Sequence, residues 1–307
     1  MNSLTTKSFK DDLGNVWGVN YGVCSEIGKL RAVLMRRPGK EVEGITSAEV
    51  AYMREIPDPQ GLREEHDNLV EIYKQHDVDV YYIDEMDETC PNAMYCRDLV
   101  LGTPEGVIIC RPGIKVRSKE VKHISKKISE IGIPIIKTIH GHGIFEGACL
   151  TWIDRETVII GTGIRCNEEG YTQVVETLKY IGVKNFIKIN IPHNQNHIDG
   201  FLSIVNYKTA VSFPYITPQV IYDELERRGF NILEIPSMEE KLNFAANSVA
   251  LEPGKIVMPK GAPKTVEMLR KAGIEVIEVN QDEIKKGGGS VHCLTAVLNR
   301  EEIPLYL

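Results

Sequence analysis

The strongest constraint on the fold is a pattern that occurs five times along the 307 residues. Each occurrence has a β-branched run, a turn, an amphipathic helix and a second β-rich run. The second runs begin around Asp77, Gly132, Gly182, Gly229 and Gly273, which are 55, 50, 47 and 44 positions apart. A glycine at such a place is typical of a helix end before the chain turns back into a strand. Five similar units favour a closed array around an axis, although an ordinary doubly wound α/β sheet shows the same alternation.

Each unit opens with a short run of β-branched and aliphatic residues, and helical periodicity follows. The first runs cover 32–35, 106–109, 157–160, 209–212 and 255–258. Apolar residues at three- and four-residue spacing predict helices over 64–75, 118–130, 172–180, 219–228 and 265–271. We therefore predict a single domain over 1–307 made of five such repeats, with units at approximately 28–90, 91–145, 146–196, 197–250 and 251–307.

The composition limits the partners and the compartment. Acidic residues number 43 and basic residues 36, and the net charge of −7 argues against nucleic acid and anionic membranes as partners. Residues 1–7 lack the apolar core of a signal peptide, and no apolar stretch is long enough to span a membrane, so we expect a cytoplasmic protein. The seven cysteines form an odd, scattered set without a Cys-x-x-Cys pair, which predicts reduced thiols and neither a disulfide framework nor a zinc site.

A run of three glycines, 287–289, leads into a short segment that ends at Cys293. Consecutive glycines tolerate positive φ angles and let the backbone pass close to a ligand, at a cost in conformational entropy. Cys293 at the end of such a loop is a candidate nucleophile. The alternative, which the residues leave open, is a flexible turn followed by a buried strand in which the cysteine is apolar packing. His292 would point to the opposite side of an extended segment, which favours a structural role.

Polar residues also stand where the later units begin. His197 and Asp199 are two positions apart, so on a strand both side chains would lie on one face, where one can move protons while the other binds a cation. A surface strand with polar residues facing water is the alternative. Glu146 precedes Gly147 at the start of the third unit. In a closed ring, these ends and the end that carries Cys293 would converge on the axis.

Asp98 stands immediately before an apolar run. Three further polar residues lie at suggestive distances in sequence from Asp98 or Glu146. Asn92 lies six positions before Asp98. Arg117 lies 19 positions after Asp98, and Arg165 lies 19 positions after Glu146. Two arginines and an amide can clamp a carboxylate, because a guanidinium presents a fork that matches it. Each arginine taken alone would more often be a surface residue, but their equal offsets in adjacent units favour the clamp.

Taken together, these residues resemble those of the guanidine-modifying enzymes, namely arginine deiminases, dimethylarginine dimethylaminohydrolases and amidinotransferases. The resemblance runs from Lys29 to Cys293. It implies a five-bladed α/β propeller, called the pentein fold, built from five ββαβ-type repeats around a central active site. By their motifs, the residues that the resemblance assigns to catalysis are Cys293, His197, Glu146, Asp98 and Asp199, and those that it assigns to binding the substrate carboxylate are Asn92, Arg117 and Arg165.

Details of the motifs distinguish the branches of this superfamily. Dimethylargininases typically lack an aspartate at the position of Asp199 and carry an acidic residue in place of Arg97. Amidinotransferases of the glycine-using type have an aspartate where this chain has Glu146, which favours a hydrolase. The Gly-Gly-Gly-x-x-His-Cys ending, in contrast, is nearer to agmatine deiminases and amidinotransferases. Deiminases commonly read Glu-Gly-Gly-Asp, so Cys149 replaces an aspartate here and leaves the recognition of the amino-acid end open.

The resemblance therefore implies a cysteine-dependent hydrolase that forms a covalent amidino adduct on Cys293, with L-arginine to L-citrulline and ammonia as the leading reaction. The alternatives are an amidinotransferase that passes the amidino group to an amine, and a non-catalytic pentein that binds an amino acid or a protein partner. Neither a metal nor an organic cofactor is needed, and the expected partner is a small guanidino molecule. The chain has no room for the helical insertion of larger arginine deiminases, so assembly into a homo-oligomer is left open.

Overall fold

The computed structural model describes residues 9–17 and 21–305, so the expectation about residues 1–7 lies outside the described residues. In chain order the strands are β1 (Leu30–Met35), β2 (Asp79–Tyr82), β3 (Val100–Thr103), β4 (Gly106–Ile109), β5 (Ile135–Thr138), β6 (Leu150–Asp154), β7 (Thr157–Thr162), β8 (Asn185–Asn190), β9 (Leu202–Asn206), β10 (Thr209–Ser212), β11 (Asn231–Glu234), β12 (Val249–Glu252), β13 (Lys255–Pro259), β14 (Glu275–Val279) and β15 (Ala296–Arg300). The helices are α1 (Phe9–Val16), α2 (Pro59–Gln75), α3 (Glu120–Glu130), α4 (Glu168–Tyr180), α5 (Gln219–Arg227), α6 (Met238–Leu242), α7 (Pro263–Lys271), α8 (Asp282–Lys286) and α9 (Val291–Leu294).

The strands form five sheets of three, and four of these sheets are built from consecutive strands: β3-β4-β5, β6-β7-β8, β9-β10-β11 and β12-β13-β14. In each of the four, the first strand pairs antiparallel with the second, and the second pairs in parallel with the third. A parallel pair needs a crossover connection, which the helix between the second and third strands supplies. These four sheets have the predicted ββαβ order.

The first sheet is different, because the C-terminal strand β15 pairs antiparallel with β1, which pairs in parallel with β2. The last strand therefore completes the first unit and covers an edge of β1 that would otherwise be unpaired. The predicted unit boundaries differ from the sheets here: the unit at 251–307 contains a strand of the first sheet, and the boundary at 250 falls inside β12. Pairing between the two ends of a chain leaves no mark on local periodicity, which is why the sequence did not indicate it.

Contacts between neighbouring sheets complete a ring. β15 contacts β3, and β12 contacts both β9 and β1. β3 contacts the short 3₁₀ turn Gly147–Cys149 that precedes β6, and β6 contacts the 3₁₀ turn Ile198–Gly200 that precedes β9. Each sheet thus touches the next, and the last touches the first. The predicted five-bladed α/β propeller is confirmed.

All five predicted helices are confirmed, but three begin earlier than apolar periodicity indicates, and the difference is largest for α2 and α4. α2 begins at Pro59, where the Asp58 carboxylate accepts the backbone N–H of Gly61, and α4 follows the capping residue Asn167. These first turns are polar, so capping rather than an apolar stripe sets their start. The outer strands begin a few residues later than the predicted second runs. In four units the glycine at the helix end has a positive φ, between 73° and 98°, and the strand starts only after it.

The middle strands lie at the centre of the core. Every residue of β4 and β7 is buried, and Trp152 and Phe145 are among the largest fully buried side chains. Burial of both faces explains the continuous apolar runs in the sequence. Among the described residues, no helix combines the length and the apolar character needed to span a membrane.

Candidate active site

Short turns at the start of the inner strands carry the predicted catalytic residues. Asp98 ends a 3₁₀ turn before β3, Glu146 immediately precedes the one before β6, and Cys293 lies in α9 before β15. Because the inner strands surround one axis, these turns bring side chains from different units together. A Cβ atom on Gly147 would lie 2.6 Å from the carbonyl oxygen of Arg97, so the glycine of the Glu-Gly motif lets two neighbouring turns approach closely.

The spacing of His197 and Asp199 predicted that both side chains lie on one face of a strand. In the structure they do not. His197 is extended, with φ −141° and ψ 165°, whereas Asp199 lies in the 3₁₀ turn before β9. Their side chains separate: His197 contacts Glu146, and Asp199 lies beside Cys293. The rule that residues two apart point the same way holds only for continuous extended backbone, and the turn interrupts it here.

Seven of the eight predicted residues line one cavity of about 60 Å³. The eighth, Asp199, is buried beside this cavity, with its Oδ2 atom 3.8 Å from the sulfur of Cys293. Residues that lie between 92 and 293 in the chain are therefore neighbours in the fold. The seven residues that line the cavity are Asn92, Asp98, Arg117, Glu146, Arg165, His197 and Cys293.

The glycine run packs against Tyr95 and leads the backbone to Cys293. A Cβ atom on Gly287 would lie 2.1 Å from the Tyr95 hydroxyl oxygen, and one on Gly289 would lie 2.5 Å from the Tyr95 ring and 3.0 Å from the Cβ of Cys293. Gly288 between them has a φ of 90°. Close approach of the backbone thus accounts for Gly287 and Gly289, and the positive φ accounts for Gly288, whereas a flexible turn would require none of these features.

The Cys293 thiol lies in surroundings that disfavour its ionised form. Burial, followed by the charges of Asp199 and Asp98, raises the pKa of the thiol well above its ordinary value. The thiolate is the nucleophilic form of cysteine, so this pKa must fall before the sulfur can attack. A cation that enters the cavity would lower it.

His197 and Glu146 form a tightly coupled pair. The Nε2 atom of His197 lies 2.6 Å from Oε2 of Glu146, whose other oxygen accepts the backbone N–H of Gly113 at 2.7 Å. Burial by itself would lower the pKa of His197, but the charges of Asp98 and Glu146 outweigh it, so the pKa is raised. Burial would raise the pKa of Glu146, but the hydrogen bond from His197 outweighs it, so that pKa is lowered. The pair therefore favours an imidazolium beside a carboxylate.

One carboxylate oxygen of Asp98 has no hydrogen-bond partner among the described residues. Its Oδ2 atom accepts a hydrogen bond from Arg117, whereas Oδ1 is buried and makes no hydrogen bond to any described residue. Oδ1 lies 3.6 Å from Nδ1 of His197. An unpaired buried acceptor is costly, and it marks a place where a donor on a ligand would fit.

Arg117 is largely committed to the protein. It donates from Nε and Nη2 to Glu120, from Nη2 to the carbonyl oxygen of Tyr95 and from Nη1 to Asp98. A guanidinium has five N–H groups, so these bonds leave one for a ligand. Arg117 was predicted to be part of a carboxylate clamp. That role stays a prediction, and only one N–H group of Arg117 is left to bind a substrate carboxylate.

Arg165 and Asn92 have more hydrogen-bond donors left for a ligand than Arg117 has. Within the described residues, the Arg165 guanidinium makes a single contact, from Nη1 to Oε1 of Glu146 at 3.3 Å. Asn92 donates from Nδ2 to the carbonyl oxygen of Ala51 at 2.6 Å. Both line the cavity, so Arg165 is the better placed of the two arginines to bind a substrate carboxylate.

Asp199 and His292 form a buried pair behind the nucleophile. Nδ1 of His292 lies 2.8 Å from Oδ2 of Asp199, and its Nε2 lies 3.7 Å from Glu26. The expectation that His292 points away from the site on an extended segment is wrong, because residues 291–294 form a helical turn. Burial opposes both charges, but their mutual hydrogen bond outweighs it, raising the pKa of His292 and lowering that of Asp199.

Sequence reasoning missed Asn247, which contacts Cys293. Its Nδ2 atom lies 3.3 Å from the sulfur. A signal was present: Asn247 stands two residues before β12, as Asp98 stands two residues before β3. An asparagine has no distinctive motif around it, so the repeat register was the only guide.

The described residues also include one cluster with the composition of a cation site. Ligand atoms of Asp98, Glu146 and His197 all lie within 4.8 Å of one another. Arg117 and Arg165 already pair with the two carboxylates and supply positive charge there. That no metal is needed stays a prediction.

A five-bladed α/β propeller with a buried cysteine, a His–Glu pair and carboxylates at its centre defines a guanidine-modifying enzyme of the pentein class. Residues 53–300 match the sequence family described as N,N dimethylarginine dimethylhydrolase, eukaryotic, and the chain belongs to that family. It is thereby a hydrolase of the type that acts on C–N bonds of linear amidines.

Two relatives with known names are similar in sequence to this chain. N(G),N(G)-dimethylarginine dimethylaminohydrolase of Pseudomonas aeruginosa is 26% identical over 268 residues, which cover 86% of this chain and 97% of the relative. An arginine deiminase of Listeria welshimeri is 24% identical over 401 aligned positions, which cover 92% of this chain and 98% of the relative. Similarity therefore extends to enzymes of both names.

Solved structures resemble this fold along most of the chain. A dimethylarginine dimethylaminohydrolase adduct with S-methyl-L-thiocitrulline has a TM-score of 0.74 and 26% identity, and covers 87% of this chain and 99% of its own. A Pseudomonas aeruginosa variant of that enzyme complexed with citrulline has a TM-score of 0.73 and 25% identity, and covers 89% and 100%. The N-terminal domain of ArgZ, an arginine dihydrolase, has a TM-score of 0.75 at 19% identity over 88% and 98%, which supports the fold alone.

Proposed function

We propose that this protein hydrolyses L-arginine to L-citrulline and ammonia through a covalent amidino adduct on Cys293. The observation that carries the proposal is the buried Oδ1 atom of Asp98, which accepts no hydrogen bond from the described residues and belongs to the same cavity as Cys293 and His197. A guanidinium N–H would satisfy this oxygen with a charge-assisted hydrogen bond. The substrate cation would also lower the pKa of the Cys293 thiol, so binding and activation of the nucleophile would occur together.

The second candidate substrate is dimethylarginine, because the matching family and the Pseudomonas aeruginosa relative carry that name. A dimethylated nitrogen has no N–H to donate to a carboxylate. This site holds two buried carboxylates close to the nucleophile, Asp98 and Asp199, and leaving Oδ1 of Asp98 without a donor would cost about 1–3 kcal/mol. The unmethylated guanidinium, with N–H groups on both terminal nitrogens, fits two carboxylates better. The departures at Arg97 and Asp199 from the typical dimethylargininase motifs point the same way.

In the first half of the reaction, the Cys293 thiolate attacks the central guanidino carbon. The thiol proton leaves to solvent when the substrate cation enters. The His197 imidazolium, oriented by Glu146, protonates one terminal nitrogen, which departs as ammonia. The product of this half is an S-amidino adduct on Cys293 that keeps one positive charge, and His197 is neutral.

In the second half, neutral His197 removes a proton from water while the oxygen attacks the adduct carbon. The C–S bond then breaks, Cys293 departs as thiolate, and the remaining hydroxyl proton is released to give the ureido group of citrulline. The released proton and ammonia leave as ammonium, so arginine cation and water give citrulline and ammonium. Glu146 keeps Nε2 of His197 in place in both halves. An amine in place of water would make the same site an amidinotransferase.

A substrate panel tests the proposal. The enzyme is incubated with arginine, agmatine, N-methylated arginines and guanidino acids, and ammonia, methylamines, citrulline and ornithine are quantified. We expect citrulline and ammonia in equal amounts, with arginine the best substrate by kcat/KM. Dimethylamine released faster from dimethylarginine than ammonia from arginine would overturn the choice of substrate. Transfer of the amidino group to glycine or ornithine without ammonia would overturn hydrolysis.

The covalent step has its own test. Intact-protein mass spectrometry of the enzyme quenched during turnover should show the amidino adduct, and Cys293→Ser should show neither adduct nor activity. Cys166→Ser is the matched control, because Cys166 is a buried thiol outside the proposed chemistry. Full activity of Cys293→Ser would remove the mechanism.

A further inference from the structure

Four of the five inner strands follow a turn that carries a predicted catalytic side chain. β3, β6, β9 and β15 are preceded by Asp98, Glu146, Asp199 and Cys293. The fifth inner strand, β12, begins at Val249, and the residue at the corresponding place is Asn247. The repeat therefore brings an amide to the axis at the one position to which the motifs assign nothing.

Asn247 joins three parts of the site by hydrogen bonds. Its Nδ2 atom donates to the sulfur of Cys293 at 3.3 Å and to Oδ2 of Asp199 at 3.2 Å. Its Oδ1 atom accepts the backbone N–H of His292 at 2.9 Å. The side chain is only 1% exposed, so these groups are its environment. All three contacts reach residues on other turns or strands.

The orientation of this amide follows from its partners. The backbone N–H of His292 can only donate, so the atom that faces it must be Oδ1. The NH₂ group then faces Cys293 and Asp199, which are both acceptors when ionised. Reversing the amide would set a donor against a donor and an acceptor against two anions.

The NH₂ group of Asn247 lies between the Cys293 sulfur and the Asp199 carboxylate, where it weakens the repulsion between a thiolate and the carboxylate. A thiolate on Cys293 would stand 3.8 Å from Oδ2 of Asp199, and the negative charge of Asp98 adds to the repulsion. His292 bonds through Nδ1 to the same Oδ2 atom, so Oδ2 is shared between His292 and the NH₂ group of Asn247. Two N–H groups placed between two anions reduce their repulsion and desolvation.

We propose that Asn247 is a catalytic residue of this enzyme, whose NH₂ group bridges the Cys293 sulfur and the Asp199 carboxylate and stabilises the thiolate beside it. The bond from His292 to Oδ1 holds α9 in register, so the same side chain also positions the sulfur. This inference rests on the proposed role of Cys293 as the nucleophile.

The test measures the reactivity of Cys293 without any substrate. The full chain is alkylated with iodoacetamide over a range of pH, and modification of the Cys293 peptide is followed by mass spectrometry. Asn247→Leu keeps nearly the shape of the side chain without its N–H groups, and Asn247→Ala is the second variant in case the first does not fold. Asn243→Leu is the matched control, because the Asn243 side chain lies on the same segment and, within the described part of the chain, donates only to the Glu239 carbonyl.

We expect the midpoint of alkylation to move upward by about one to two pH units in the Asn247 variants, because a hydrogen bond to a charged group is lost. The Asn243→Leu profile should match the wild type, and thermal melts identify which variants are folded. A wild-type profile in either folded Asn247 variant would overturn the proposal. If arginine proved not to be a substrate, the proposed function would fail while this profile would still decide the role of Asn247.

Discussion

The pairing of Glu146 with His197 leads to the sharpest prediction from this site. In Glu146→Gln, the amide oxygen would turn to the N–H groups of Gly113 and Arg165, which only donate. The amide NH₂ would then face Nε2 of His197, which has to accept and therefore has to be neutral. The variant thus keeps the shape of the pair and holds His197 in the wrong protonation state for donating to the departing nitrogen.

The size of the effect follows from the contact that is lost. The bond between Nε2 and Oε2 is 2.6 Å long and charge-assisted, and such a bond contributes about 1.5–3 kcal/mol. At 1.36 kcal/mol per pKa unit, the pKa of His197 should fall by about one to two units. The remaining influences are burial, which lowers this pKa, and Asp98, which raises it. Losing the acid form at neutral pH should reduce kcat by about 10²- to 10⁴-fold.

The assay is the dependence of kcat on pH, measured by citrulline formation at saturating arginine. A raised pKa keeps His197 protonated to higher pH, so the limb of the wild-type profile that falls toward alkaline pH should move to lower pH in Glu146→Gln. Glu156→Gln is the control, since Glu156 pairs with Lys184 at the surface. An unmoved alkaline limb, or a kcat near that of the wild type, would refute the reasoning.

Three further changes test the substrate clamp and two local features. Arg165→Ala should raise the KM for arginine about 10- to 100-fold with a smaller effect on kcat, and should leave the KM for agmatine, which has no carboxylate, unchanged; equal effects on both would contradict the clamp. Gly289→Ala would place a Cβ atom 2.5 Å from the Tyr95 ring and should destabilise the fold by about 1–3 kcal/mol in chemical denaturation, whereas Gly44→Ala, with open space around it, should not. Asn167→Ala removes the cap of α4 and should cost about 1 kcal/mol in the same assay; no loss would mean that the cap is dispensable.

The sequence predicted the local features of the fold. The glycines that end the helices, the apolar middle strands and the helix faces all depend on residues within one or two turns of each other. These features predicted five repeats with helices close to their observed ranges. The helix starts at Pro59 and after Asn167 were missed because polar capping, not periodicity, decides them.

The chemistry-bearing residues were predicted through motifs, and the fold gathers them. Cys293, Glu146 and Asp98 were recognisable beside a glycine or an apolar run, and the propeller places them around one cavity. The backbone path between His197 and Asp199 was not predicted, because nothing in the residues themselves distinguishes a strand from a 3₁₀ turn there. Their assignment to catalysis remains a prediction that the experiments above address.

The sequence by itself determined the repeat, the class of fold and the residue types at the centre, because periodicity and glycine placement are local properties. The tertiary structure alone decided the rest. It decided that β15 closes on β1, that Arg117 is committed to Asp98 and Glu120, and that Asn247 stands against the sulfur of Cys293. Each of these depends on which distant segments meet, and hydrogen-bond capacity can be counted only when the partners are known.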